Sequence, residues 1–307
     1  MQRRLIDYFI ISLKGLAMGA ADAVPGVSGG TIAFISGIYE ELINTISGVN
    51  FSLITTLKKE GFNAFWKQLN GNFITALLIG IVISFVSFMK LAKYLIEYHP
   101  ILIWSFFFGL IVASIYFVGK QITNWNFISI LGVVIGTIVA YYITTIPASD
   151  VNDSPYFLFF AGALAICAMI LPGISGSFIL VILGAYKTLS DAIHVLDFKK
   201  LALFISGAIV GLLSFSHILK WLFKKFHNLT LAILTGFILG SLNKVWPWKK
   251  VLSWRTNSKG IEVPLLEKSI SPSSFEGNPQ VIFAIGLMLI GFLTIILLEK
   301  IGSKSMR

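Results

Sequence analysis

Residues 156–186 carry no charged side chain, an unbroken run of 31. A helix crosses a hydrocarbon core of about 30 Å with about 20 residues, so this run is too long for one crossing and too short for two. Pro172-Gly173 sits near its middle. Proline removes a backbone donor and glycine permits a tight reversal, so the run reads as two short arms, 156–171 and 174–186, of about 24 and 20 Å. The expectation is a broken helix or a re-entrant hairpin. Residues 5–48 share the design, with Pro25-Gly26 between an arm ending near Asp22 and a second arm starting at Thr31.

Around the two breaks lie apolar runs of bilayer length at 73–96, 101–119, 127–146, 201–219, 229–243 and 280–298. Only 12% of the 307 residues are charged and 56% are hydrophobic, whereas a soluble domain carries about 25% charged residues. A chain of this length already has room for a full core, so the apolar excess faces lipid. The predicted class is an all-α polytopic membrane protein. The net charge of +10 then belongs in cytoplasmic loops against anionic lipid, which removes the reason to invoke nucleic acid. A single cysteine, Cys167, excludes an intrachain disulfide, and four scattered histidines form no ligand cluster, so neither a metal nor a cofactor is expected. Arg3 and Arg4 precede the first apolar stretch as in a signal peptide. Lys14 interrupts that stretch and the hydrophobic sequence runs on, so it reads as retained.

The two breaks are copies of one another. Pro25-Gly26-Val27-Ser28-Gly29 matches Pro172-Gly173-Ile174-Ser175-Gly176 at an offset of 147, which also pairs Gly37 with Gly184 and Tyr39 with Tyr186. Gly80, Ser87, Phe88, Lys93 and Gly109 match Gly207, Ser214, Phe215, Lys220 and Gly236 at an offset of 127. The chain therefore reads as a duplication: a first repeat over 1–146 with its hairpin at about 5–48, a joint at 147–155, and a second repeat over 156–307 with its hairpin at 156–186. Each half contains one broken pair, worth zero or two crossings, plus three spans. The count is odd either way, so the second half is inverted. With both termini cytoplasmic, Lys58, Lys59, Lys67, Lys120, Lys220, Lys224 and Lys225 fall inside, while Asp150 and Asp153 sit in an outside joint free of lysine and arginine. The connector 244–279 departs from the rule, being outside despite Lys244, Lys249, Lys250, Arg255, Lys259 and Lys268; either the rule holds less in a longer loop or the connector binds anionic material.

Inverted repeats with discontinuous helices are an architecture of secondary transporters, with the site near the midplane where the broken elements meet. Non-helical backbone at that depth must line a cavity or be buried in protein. Gly26, Gly29, Gly30, Gly173 and Gly176 offer backbone N–H groups, and Ser28, Thr31, Ser175 and Ser177 add hydroxyls. Such a pocket suits an anion, phosphate first among them for its several acceptor oxygens. Pro25 and Pro172 make the breaks. The plainer alternative is that these residues only shape and cap a hairpin. Asp22 and Lys14, two turns apart on the first arm, are candidates for proton or charge coupling; Asp22 alternatively caps the turn, and Met169 occupies its matching place.

Lys14-Gly15, the stretch from Asp22 to Thr31, Gly37-Ile38-Tyr39, the second motif from Pro172 to Ser177, and Gly184-Ala185-Tyr186 resemble the polyprenyl-phosphate transporter family. The resemblance covers almost the whole chain and is weakest over 244–279. It implies a transporter that moves undecaprenyl phosphate from the outer to the cytoplasmic leaflet of a bacterial plasma membrane, with membrane lipids as surroundings and protons or another ion as possible coupling partners. Two other classes compete. Undecaprenyl-pyrophosphate phosphatases have a similar Pro-Gly-x-Ser turn, but theirs continues Arg-Ser with glutamates nearby. Gly29 and Gly176 hold the arginine positions here, so a group to stabilise developing charge is missing and no catalytic residue is expected. The other competitor is a small-anion channel. Elsewhere, Lys90, Lys93, Glu97 and His217 read as snorkelling near span ends, Glu40 and Glu41 as an interfacial face, and Trp246 and Trp248 as interface anchors.

Overall fold

A computed structural model describes residues 3–24, 28–147, 149, 151, 154–256 and 262–305. Pro25 and Gly26 of the first break, and Asp150 and Asp153 of the joint, lie outside the described residues. The protein is an α-helical polytopic membrane protein. In chain order its helices are α1 (Leu5–Asp22), α2 (Gly29–Ile35), α3 (Tyr39–Ser47), α4 (Ser52–Glu60), α5 (Phe62–Gln68), α6 (Gly71–Tyr98), α7 (Pro100–Gly119), α8 (Phe127–Thr145), α9 (Pro155–Ile170), α10 (Gly176–Ile182), α11 (Ala185–His194), α12 (Phe198–Lys225), α13 (His227–Val245) and α14 (Val281–Ser305).

Among the described residues, α6, α7, α8, α12 and α13 are long and apolar enough to cross a bilayer, and α14 holds a further apolar stretch, Val281–Leu297. Their ends follow from local chemistry. Pro100 and Pro155 open α7 and α9, where the missing N–H is an orphan donor anyway. Asn126 and Asp197 cap α8 and α12 through the N–H groups of Ser129 and Lys200. Gly37 and Gly184, with φ of 74° and 69°, follow α2 and α10, a left-handed conformation glycine adopts without steric cost.

Helices pack in four main parallel pairs: α1 with α6, α9 with α12, α7 with α14, and α8 with α13. Glycines set the crossings. A Cβ on Gly80 would strike the Ser12 carbonyl of α1, and one on Gly207 the Phe159 carbonyl of α9; Gly109 lies likewise against Met288 and Gly236 against Val133. Without a hydrophobic drive between helices in lipid, such close backbone approach supplies the packing. α7 and α13 are the central helices, with 56% of each apolar window buried, against 22% for α6 and α8 and 17% for α12. The outer helices turn Val82, Val86, Ile128, Ile135 and Ile209 outward as the lipid face.

Two polar connectors carry structure that the sequence reading did not single out. The connector 49–72 folds into α4 and α5, whose exposed Phe51, Ile54 and Phe62 accompany Lys58, Lys59 and Lys67, the composition of helices lying in a membrane surface. The connector 244–279 holds an antiparallel hairpin, β1 (Lys249–Thr256) and β2 (Glu262–Ser269), which period-2 reading of a polar stretch did not single out. Trp246 and Trp248 are not interface anchors. Their indole N–H groups donate to Ile270 and Pro279 carbonyls, both at 2.8 Å, and Trp248 packs with Ile101 and Ala284, so the pair pins the hairpin to α7 and α14.

Candidate functional site

α1 ends at Asp22 and α2 runs back along it, so the two arms of the first hairpin lie side by side. Asp22 Oδ1 accepts the Gly29 N–H at 2.7 Å, and Lys14 Nζ donates to the Ser36 carbonyl at 2.7 Å. An acid at the start of α2 and a base at its end complement the partial charges of a short helix, which explains both residues on one face of α1. Lys14 and Asp22 therefore serve opposite ends of α2 and do not pair with each other. The Arg3 guanidinium makes two 2.6 Å bonds to Glu41, bringing the start of α1 and the start of α3 to one end of the molecule. Glu40, read as part of an interfacial face, instead accepts from His227 of α13 at 3.1 Å.

The second hairpin is built from α9 and α10. α9 stops at Ile170, Gly173 turns with φ 88°, and α10 leaves for the 111° bend into α11.

The two breaks meet. Ser28 Oγ donates toward the carbonyls of Met169 (3.2 Å) and Leu171 (3.3 Å), and Tyr39 Oη donates to the Ile170 carbonyl at 3.1 Å. These are carbonyls at the C-terminal end of α9, which have no intrahelical partner and would be costly to bury bare. The Gly173 N–H donates to Thr31 Oγ1 at 2.9 Å. Gly30 permits the approach, since a Cβ there would lie 2.6 Å from the Ile170 carbonyl. The structure thus brings Ser28, Gly30 and Thr31 against 169–173. Three of the candidate donors are already engaged: Gly29 N–H on Asp22, Gly30 N–H on Ser28 Oγ (3.1 Å), Gly173 N–H on Thr31.

The two copies are not equivalent. Ser28 caps α2, whereas Ser175 makes no side-chain cap bond to α10 and its hydroxyl lies 2.9 Å from that of Ser177. Ser28 and Thr31 are each 1% exposed, and Lys14, Gly29, Gly30, Pro172, Gly173, Ser175 and Gly176 are also buried. Asp22 is half-buried, and among the described candidates Ser177 alone is exposed. Tyr39 is buried, while its counterpart Tyr186 is 42% exposed.

Two lysine groups, known from sequence only as loop charge and as a basic connector, flank the breaks. Lys244 Nζ lies 4.5 Å from the ring centroid of Phe178, the residue after Ser177. At the other end of α13, Glu40, Ile43, Asn44, Lys220, Phe223 and Lys224 line a cavity of about 210 Å³ between α3 and α12. Lys220 and Lys224 are four apart on α12 and so share a face, a spacing visible in the sequence but read there only as loop charge.

A profile of the undecaprenyl phosphate translocase-like family matches residues 18–263. The chain is 45% identical over 308 residues to a protein of Vibrio cholerae serotype O1 named polyprenyl-phosphate transporter, covering 99% of this chain and 100% of that protein. It is 33% identical over 264 residues to a protein of Staphylococcus aureus (strain NCTC 8325) with the same name, covering 76% and 85% of the two chains. No solved structure matches.

Proposed function

The chain belongs to the undecaprenyl phosphate translocase-like family, and from that membership we propose that this membrane transporter carries a polyprenyl phosphate lipid from the outer to the cytoplasmic leaflet of a bacterial plasma membrane. The observation that carries the site assignment is the meeting of the two Ser-Gly breaks, 28–31 against 169–173, in the core of the molecule. A phosphate reaching the breaks competes for N–H groups now held by Asp22, Ser28 and Thr31. The Gly29 and Gly30 bonds lie within the first hairpin and the Gly173 bond crosses between the two, so a phosphate that takes the Gly173 N–H also loosens the contact between the hairpins. The phosphate site comprises Ser28, Gly29, Gly30, Thr31, Gly173, Ser175, Gly176 and Ser177, with Gly26 assigned from sequence.

The transport cycle is alternating access between inverted halves. Support comes from element lengths that recur at the sequence offsets: α2 and α10 start 147 apart, and α6 and α12 are both 28 residues long and 127 apart. Arg3–Glu41 returns the first hairpin to its starting end, which favours zero crossings. Exposure of Ser177 and Tyr186 favours an arrangement open toward the β1–β2 end, the outer face under this topology. The Lys220–Lys224 cavity is the exit at the cytoplasmic face. Asp22 couples transport to protons: a carboxylate on Gly29 and an incoming phosphate are like charges at one place, so protonation of Asp22 frees the donor.

Hydrolysis is not part of this reading. Gly29 and Gly176 stand where the phosphatases have arginine, and the position matching Asp22 in the second half of the sequence holds Met169 rather than a second carboxylate. The deciding experiment is reconstitution of the full chain in liposomes loaded with fluorescent polyprenyl phosphate in one leaflet, with and without a pH gradient. Protein-dependent movement without phosphate release is expected; phosphate release from the pyrophosphorylated lipid, or no movement of either lipid, overturns the proposal.

A further inference from the structure

The hairpin end holds a charge imbalance at partly desolvated groups. Lys244, in the last turn of α13, and Lys249, at the start of β1, converge on one carboxylate, Glu267 of β2, with Nζ–Oε2 distances of 3.9 and 3.5 Å. Side-chain exposures are 26% for Lys244, 10% for Lys249 and 28% for Glu267. Lys249 Nζ also donates to the Lys244 carbonyl at 2.6 Å and sits 4.8 Å from the ring centroid of Trp104, while Lys244 faces Phe178 of α10. Burial pushes the Lys249 ammonium down to about 8, with Glu267 opposing that shift and Lys244 adding to it. Lys250, one residue on, pairs with exposed Glu276 at 3.0 Å as an ordinary surface contact, so the enclosure is particular to its neighbours.

Among the described residues, two ammonium groups on one carboxylate leave one positive charge without a counterion in a setting where charge is expensive to leave uncompensated. A phosphate monoester carries about −1.5 to −2 charge at neutral pH and balances two lysines where one carboxylate does not. The flanking faces of Trp104 and Phe178 give an apolar neighbour to whatever chain the phosphate bears, and Phe178 adjoins the exposed Ser177 of the second break.

We infer that Lys244, Lys249 and Glu267 form a capture site for a phosphate monoester at the hairpin end, with Glu267 as the internal anion that the incoming phosphate displaces before it passes to the break. The inference rests on the proposed function for the identity of the ligand as a lipid headgroup. It also accounts for the basic 244–279 connector, whose enclosed lysines face the transport site.

The test uses the full chain in nanodiscs of uncharged phosphatidylcholine, titrated with geranylgeranyl phosphate, geranylgeraniol or inorganic phosphate. Wild type is expected to bind geranylgeranyl phosphate and not the alcohol. Lys244→Gln and Lys249→Gln each weaken binding by about tenfold or more, the scale of a lost bond to a charged group. Glu267→Gln tightens it several-fold, because the competing carboxylate is gone. If a Gln variant fails to fold by thermal unfolding, Lys249→Arg, which keeps the charge, is expected to retain binding. Unchanged affinity in both lysine variants, or weaker binding by a folded Glu267→Gln, overturns the capture site and returns the trio to a pin for the hairpin. Inorganic phosphate binding as tightly as the prenyl phosphate overturns the lipid assignment. Transport is measured separately in proteoliposomes: wild type that binds in this lysine-dependent way but moves no lipid sinks the transport reading alone, whereas transport with lysine-independent binding sinks the capture site alone.

Discussion

At the scale of single residues, Asp22 carries the sharpest question. Its carboxylate accepts the Gly29 N–H, a bond an amide oxygen also accepts, so Asp22→Asn is expected to fold normally. Asp22→Ala loses an acceptor at a helix start and is expected to cost about 1 kcal/mol in thermal unfolding. In proteoliposomes Asp22→Asn is expected to lose the pH dependence of transport; an unchanged profile leaves Asp22 as a cap. Lys249 supplies a second prediction. Its group titrates near 8 with Lys244, Glu267 and the Trp104 ring around it, so its share of phosphate affinity is full below pH 8 and fades above it, on the order of tenfold per unit. The ligand's second ionisation, near 6, lies below that window. Lys249→Arg stays charged and is expected to flatten the decline, read by titrating geranylgeranyl phosphate at pH 7, 8 and 9. The candidate residues were legible because Ser28, Gly29, Ser175 and Gly176 recur at one spacing. The Asp22 cap on Gly29 is local and was among the sequence alternatives; the engagement with Thr31 and the 169–171 carbonyls was not legible, since those hydrogen bonds join residues more than 140 positions apart and leave no periodicity to read. Lys14 on the Ser36 carbonyl was hidden for a related reason: its face on α1 is visible in sequence, its partner is not.

At the scale of elements, the crossings rest on glycine, and the repeat predicts that matched positions fail together. Gly80→Ala drives a methyl into the Ser12 carbonyl and Gly207→Ala drives one into Phe159. Both contacts are backbone, which cannot swing away, so each variant is expected to lose about 1–3 kcal/mol of stability. Gly286→Ala is the control, because nothing lies within 4 Å of a Cβ there. Equal melting temperatures for Gly80→Ala, Gly207→Ala and Gly286→Ala in detergent contradict this packing. The same reasoning makes Gly30→Ala informative about the site: its methyl meets the Ile170 carbonyl and pushes the two breaks apart. The spanning helices were plain in the sequence because uncharged runs of about 20 residues have few alternatives in lipid. α4, α5 and the β1–β2 hairpin were not. Short amphipathic helices and two-stranded hairpins rely on tertiary contacts, here Trp248 against Ile101 and Ala284, that a polar stretch does not announce.

At the scale of the whole molecule, transport between leaflets requires that the two ends of the site face opposite sides, and that is a statement about topology. One end gathers Arg3, Glu41, Lys58, Lys59, Lys67, Lys120 and the Lys220–Lys224 cavity; the other gathers the joint, whose Ser149 N–H donates to the Ile182 carbonyl, and the hairpin with its internally paired Lys244, Lys249 and Lys250. The rule counts lysine and arginine rather than net charge, so the lysine-rich connector stands against an outside location and the orientation needs a direct test. A cysteine at Ser149 or at Lys58, each exposed and each introduced in a Cys167→Ala background, separates the orientations in intact cells. Ser149→Cys is expected to react with a membrane-impermeant maleimide added outside, and Lys58→Cys only after the membrane is permeabilised. Reversed labelling turns the molecule over. The lysine-bearing hairpin would then face the cytoplasm, the Lys220–Lys224 cavity would become the entrance, and the direction assigned to the phosphate lipid would change with it.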